Sequence, residues 1–217
     1  MGIKFISDEE KHRFLRLHKC AHLLTKFAHV ETLEELYLYN GIHTLMSNRG
    51  IEEFLTKSAP TYPRMTVEFL CTLHTHETEP PTISFRLFNK SYSLSYQEVR
   101  EAFGWTFPIQ SWVQPEDGVL VQFWADSTNQ PYKSEANKVW MISHPALKYV
   151  YRLVSMTIFL RGEPSGIALG ELGCLYALFN PANSHPDWVS LFIGKCLHFQ
   201  NSKAGKLSFG GMITLLA

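Results

Sequence analysis

The chain has 217 residues, 45 % of them apolar and 18 % charged, and its twenty basic and twenty acidic side chains cancel. Such a length buries roughly 70 % of the unfolded surface, and the composition is that of a globular protein, not a disordered tail. Zero net charge excludes a bulk positive field for nucleic acid or an anionic membrane, and no apolar run reaches the roughly 18 residues of a membrane span.

The N-terminal stretch is locally basic, with Lys4, Lys11, Arg13, Arg16, Lys19 and Lys26. Asp8, Glu9 and Glu10 interrupt it, and transit peptides avoid acids, so it reads as a solvated helix face. Ser7-Asp-Glu-Glu10 has the form of a capping box, in which Ser7 and Glu10 each satisfy an orphan N–H. Phe14, Leu17, Ala21, Leu24 and Ala28 then recur at three- and four-residue intervals, which predicts one amphipathic helix over 8–28. Short helical pieces are expected around Leu33–Leu38, Ile42–Met46 and Ile51–Leu55, separated by Asn40-Gly41 and Asn48-Arg49-Gly50. After Pro60 and Pro63, residues Met65–Leu73 read as another helix with Val67, Leu70 and Cys71 on its inner side.

The period then changes from helical to alternating. Thr82–Phe88 and Ser91–Leu94 alternate apolar and polar positions around a turn at Asn89-Lys90, predicting a hairpin and the one clear strand signal. Ser95-Tyr-Gln-Glu98 is a second capping box, opening a short helix through Val99 and Phe103 that Gly104 closes. Residues 105–137, punctuated by Pro108, Pro115, Gly118 and Pro131, read as an irregular excursion. The last third is the most helical. Pro145 suits a first turn and leads a helix to Phe159; further helices span about 167–180, ended by Pro181, and 186–199. The fold class expected is therefore mainly α, a helical bundle with one small β-hairpin at about residues 82–94 and the irregular middle. An N-terminal helical segment, 1–59, is expected to pack with a domain over 60–217 as one unit.

The apolar run Leu207–Ala217 is too short for a stable free helix. It is expected either to tuck into the core as a short terminal segment or to mark the chain as a fragment of a longer reading frame.

Chemistry-bearing motifs are few. Cys20, Cys71, Cys174 and Cys196 are widely spaced within apolar patterns, as in reduced buried thiols of an intracellular protein. Cys71, His74, His76 and Glu77 offer four ligand types in seven residues, with His18, Cys20 and His22 as a distant second group. A closed zinc site wants two pairs at defined spacing, so a buried Cys71 beside exposed histidines is the expected arrangement, and no metal or cofactor is assigned. Ser202–Lys206 lacks the earlier glycine and following Ser/Thr of a phosphate loop, and Gly166–Gly173 has the wrong spacing for a dinucleotide fingerprint, suiting close helix packing instead. No nucleophile elbow occurs, and Asp8, Asp117, Asp126 and Asp187 are not paired for metal-dependent chemistry. No catalytic or binding residue is assigned and an enzyme is not expected. The tryptophans 105, 112, 124, 140 and 188 lie mainly among apolar or acidic neighbours, which favours core packing over base stacking.

Four blocks in order carry a resemblance: Met65-Thr-Val-Glu-Phe-Leu-Cys-Thr-Leu73, Ile83-Ser-Phe-Arg-Leu-Phe-Asn-Lys-Ser-Tyr-Ser-Leu-Ser95, Ile158-Phe-Leu-Arg-Gly-Glu163 and Gly210-Gly-Met-Ile-Thr214. Over roughly 60–217 the chain resembles a family of plant transposon proteins, the C-terminal domain of the first open reading frame of Athila-type Gypsy-class LTR retrotransposons. The resemblance implies no activity and no catalytic residues. It implies a free-standing, truncated relative, domesticated or remnant, that contacts other proteins or self-associates. Nucleic-acid association is the alternative. Localisation is expected to be cytoplasmic or nuclear, and an exposed apolar patch is expected, with the C-terminus as its candidate place.

Overall fold

The computed structural model describes residues 2–106, 112–133, 136–180, 185–201 and 205–217. In chain order the elements are α1 (Asp8–Leu17), β1 (Ala21–His22), α2 (Val30–Glu35), α3 (Tyr39–Ser47), α4 (Pro63–Thr72), β2 (His74–His76), β3 (Thr82–Leu87), β4 (Lys90–Ser95), α5 (Tyr96–Phe103), α6 (Asp117–Thr128), α7 (Pro145–Thr157), α8 (Leu169–Phe179), α9 (Trp188–Asn201), β5 (Lys206–Leu207) and α10 (Gly210–Leu215). Short 3-10 turns lie at Glu52–Leu55 and Val139–Met141. The protein is mainly α, as its periodicity predicts.

Helix α4 is the hub. Proline at its first position presets the helical φ, and every residue from Met65 to Thr72 is buried. α1, β3, α9 and α10 all pack on it. Its C-terminal carbonyls, orphaned by geometry, are met by the buried Gln200 amide of α9, which donates to Leu70 O and, at 2.9 Å, to Leu73 O. Two further packing layers surround this centre. α5 meets α9 through Phe103 and Phe192, edge to face at 5.2 Å, and α3 crosses α7.

The hairpin sits in a larger sheet than expected. β2 adds to its edge, giving a three-stranded antiparallel order β2-β3-β4. Ile83 opposes Leu94 and Phe85 opposes Tyr92. Leu87 pairs with Lys90, so the two-residue turn is Phe88-Asn89, one position before the expected Asn89-Lys90. Both turn residues are left-handed, with φ of 54° and 64°, the twist a tight hairpin favours. A bulky residue is costly there. The fully buried Glu68 of α4 holds the turn, accepting from Phe88 N at 2.8 Å and Asn89 N at 2.6 Å.

Two expected elements are corrected. α1 stops at Leu17, not at residue 28. The chain then extends, β1 pairing in parallel with β5, while Leu23 N donates to Leu207 O at 2.8 Å and Thr25 Oγ1 accepts from Gly211 N at 2.8 Å. Distant backbone satisfies these groups in extended form, and Leu24, counted in the helical stripe, is 76 % exposed. The middle excursion, in turn, contains the twelve-residue α6. Its Leu120, Phe123 and Trp124 are buried, and it packs on α8. Pro115 precedes the helix and Asn129, left-handed at φ 57°, ends it, so the loop-forming residues lie at its ends. Pro108 and Pro181 lie outside the described residues.

The expected caps form with one change. Ser95 and Glu98 make both bonds of a capping box on α5. At α1, Ser7 Oγ accepts from Glu10 N at 3.2 Å, but the Glu10 carboxylate reaches Ile6 N instead, at 2.9 Å. Gly194, exposed within α9, has open space where a Cβ would sit. Gly194→Ala is expected to raise stability by about 0.5–1 kcal/mol through helix propensity, seen as a higher urea midpoint at unchanged slope.

Candidate interaction site

α6 presents a second face besides the one it buries. Val119, Gln122 and Asp126 recur there at helical spacing, beside the buried Phe123. With Leu147 and His144 at the start of α7 and Tyr176 and Phe179 at the end of α8, they line an open groove of about 740 Å³. Its wall is aromatic. Phe123 meets Tyr176 edge to face at 5.3 Å and Phe179 at 6.0 Å, and the His144 ring stands perpendicular to Phe179 at 6.0 Å. Phe179 remains 44 % exposed and Val119 40 %. Such apolar surface left at an edge is characteristic of a contact site.

Polar groups share the rim, with Gln122, Asp126, Ser127, Ser143, His144 and Asn180 among the lining residues. His144 caps α7, its Nδ1 accepting from Leu147 N at 3.2 Å, so the neutral ring carries its proton on Nε2. Asp126 accepts from Gln122 Nε2 at 2.8 Å across one helical turn. Among the described lining residues Asp126 is the only carboxylate, and no Lys or Arg lines the groove.

The motifs noted in the sequence do not meet here. Cys71 is buried in the last turn of α4, and burial, foremost, pushes its thiol up to about 12. His74 and His76 lie on the exposed β2, where His76 Nε2 bonds Ser84 Oγ at 2.7 Å. His18 stacks on Phe14 at the end of α1. Among the described residues no group of three His, Cys, Asp or Glu converges as a metal site requires. Residues 202–204 of the Ser202–Lys206 turn lie outside the described residues. Gly173 packs close to Trp112, a Cβ there coming within 3.5 Å of the indole, a packing role for the Gly166–Gly173 stretch. Of the four aspartates, Asp187 caps α9 by accepting from Ser190 N at 3.1 Å, and Asp126 alone lines the groove. Trp105, Trp124 and Trp188 are buried, while Trp140 is 68 % exposed.

The buried charged residues serve the fold. Arg86 of β3 grips the Glu10 carboxylate with both terminal nitrogens, at 3.0 and 2.6 Å, and also donates to Lys4 O at 2.8 Å. Burial opposes ionisation of Glu10, but the Arg86 hydrogen bonds, the Ile6 N–H and the guanidinium charge outweigh it and hold the carboxyl below its ordinary value. Glu171 of α8 pairs with Arg161 Nε at 2.8 Å and lies 2.9 Å from the Tyr151 hydroxyl. Burial, then the Glu171 charge, push that hydroxyl up. Arg161 also donates to Gly166 O at 2.8 Å, closing the loop between α7 and α8.

The C-terminal run tucks in. Gly210, Gly211, Met212 and Ile213 are buried against α4 and the segment before it, and Thr214 Oγ1 donates to Pro60 O at 2.7 Å. The C-terminal run therefore leaves no large apolar side chain among those most exposed, while Val119 and Phe179 at the groove are partly open.

A mainly helical protein, with its charged residues paired for structure and an aromatic groove on its surface, is defined by these features. The chain matches the ATHILA ORF-1 family over residues 6–178 and belongs to that family. It is thus related to the first open reading frame of Athila-type retrotransposons. The match begins well before residue 60, where the resemblance began, and stops before the Gly210–Thr214 block. No curated protein and no solved structure matches the chain. No helix among the described residues is long and apolar enough to cross a membrane.

Proposed function

We infer that the protein is a non-enzymatic interaction module derived from a plant retrotransposon reading frame, working inside the cell by gripping another protein. The aromatic groove between α6, α7 and α8 carries this reading. Aromatic anchors in a concave, partly wet surface supply most of the energy of a protein contact, and here Phe179 and Val119 stand exposed beside Phe123 and Tyr176. The occupant fitted by this chemistry is an amphipathic segment of a partner protein, with aliphatic or aromatic side chains flanking one Lys or Arg. The apolar residues cover the ring wall, and the cation meets Asp126, whose carboxylate has no cation opposite it among the described lining residues. Residues 1–59 and 60–217 act as one folding unit in this reading, supported by the Glu10–Arg86 pair and by Lys4 N donating to Asn89 Oδ1 at 2.6 Å.

Selection from a displayed peptide library tests the reading. Binders are expected to share a basic residue between apolar ones. Phe179→Asp, at an exposed position, is expected to abolish their binding, and Asp126→Asn to weaken it about tenfold, as loss of a charged hydrogen bond does. Binders indifferent to both substitutions would sink the groove as the contact site. Concentration-dependent self-association lost in Phe179→Asp would make the occupant a second copy and overturn the assignment to another protein.

A further inference from the structure

A second cavity, of about 440 Å³, lies between the N-terminal residues, the end of α1, β1 and the first turn of α4. Its size falls within the range of small-molecule sites. Ile3, Phe14 and Val67 make its apolar walls, and His18, His22 and Arg64 bring imidazole and guanidinium groups to it. No carboxylate lines it among the described residues.

Each of the three basic groups has capacity left for a ligand. His18 Nδ1 donates to Phe14 O at 2.8 Å and the ring stacks on the Phe14 ring at 4.9 Å, which fixes its orientation, and Nε2 becomes a donor when the ring takes up a second proton beside an anion. His22 Nδ1 is buried with no hydrogen-bond partner among the described residues, and an orphaned buried nitrogen calls for one. Arg64 is exposed and makes no ion pair among the described residues. α4 itself starts here with no side-chain cap on its first amides, and its first turn, the positive end of a ten-residue helix, borders the cavity through Pro63, Arg64 and Val67. Arg64 is the standing cation here. Burial lowers the pKa of His22, so its ring becomes a cation only when an anion beside it draws in a proton. The guanidinium, the orphaned nitrogen and the helix end together favour an anionic ligand.

We propose that this cavity binds a small amphiphilic monocarboxylate. Its carboxylate lies against Arg64, His18 and His22, and its hydrocarbon body lies on Ile3, Phe14 and Val67. A planar carboxylate matches the guanidinium fork, and the apolar walls reject an anion hydrated on all sides. The site is separate from the aromatic groove, and neither assignment depends on the other.

The test titrates the full chain with octanoate, octanol, acetate and inorganic phosphate by calorimetry, following the histidine ring signals by NMR. Octanoate is expected to bind and to move the His18 and His22 resonances, with octanol and acetate weaker by about tenfold or more. Arg64→Gln, a surface change, is expected to weaken octanoate by about tenfold, the loss of one charged pairing. Octanol binding as tightly as octanoate, or histidine signals that stay still, would overturn the anion assignment. Phosphate binding as tightly as octanoate would overturn the amphiphilic one.

Discussion

Replacing Gly211 by alanine is expected to cost about 3 kcal/mol of stability, at the upper end for overpacking, and to lower the melting temperature by roughly 6–12 °C for a chain of this size. A Cβ on Gly211 would sit 2.7 Å from the Ala59 carbonyl oxygen and 2.6 Å from Cε2 of Phe27. The carbonyl is backbone and cannot rotate aside, so α10 itself must move. That displacement also strains the bond from Gly211 N to Thr25 Oγ1 and the one from Thr214 Oγ1 to Pro60 O. Gly210→Ala meets Thr61 Cγ2 and Thr66 Oγ1, both at 2.6 Å, and is expected to behave alike. Gly205→Ala is the control, since nothing among the described residues lies within 4 Å of its Cβ position. Equal melting temperatures for the 205 and 211 variants would refute the close-approach account.

The second large effect concerns the buried pair. Arg86→Met leaves the Glu10 carboxylate, 1 % exposed, without its guanidinium. Breaking a buried pair from one side costs about 3–5 kcal/mol, measurable by urea unfolding at neutral pH. The sign of the pH dependence follows from the carboxyl. In the native protein Glu10 titrates below its ordinary value of 4.5. Its contribution is therefore complete above that ordinary value and is lost as pH falls through the lowered one. In Arg86→Met burial dominates and raises the carboxyl, so the folded variant prefers the neutral acid. The deficit is then largest at pH 7 and shrinks toward pH 4, and Glu10→Gln combined with Arg86→Met is expected to recover part of it. A deficit below about 1 kcal/mol, or one independent of pH, would contradict the role given to the pair.

Legibility in the sequence followed the range of the interactions. The Ser95–Glu98 box and the Gly104 stop are decided within a few residues, and both stand where the pattern puts them, Gly104 with φ 72°. The hairpin was readable because alternation and a tight turn are local. Its third strand was not, since His74–His76 is three exposed residues whose backbone is satisfied only by pairing with β3. The candidate groove was missed for a related reason. Leu120, Phe123 and Trp124 do carry helical spacing, and that signal could have found α6, but the prolines and glycine around it pointed to a loop. What makes the groove is the meeting of α6 with the ends of α7 and α8, which lie more than fifteen residues away in the chain.

Short sequence blocks carried the family resemblance, whereas composition, period and caps settled by themselves that this is a mainly helical protein. They did so because helix formation and capping are satisfied by near neighbours. Tertiary contact alone decided where α1 gives way to extended chain, how α10 is held by two glycines, and which face of α6 stays open. Each of those outcomes depends on which distant backbone or side chain arrives to satisfy a polar group or cover an apolar one, and spacing along the chain carries no record of that.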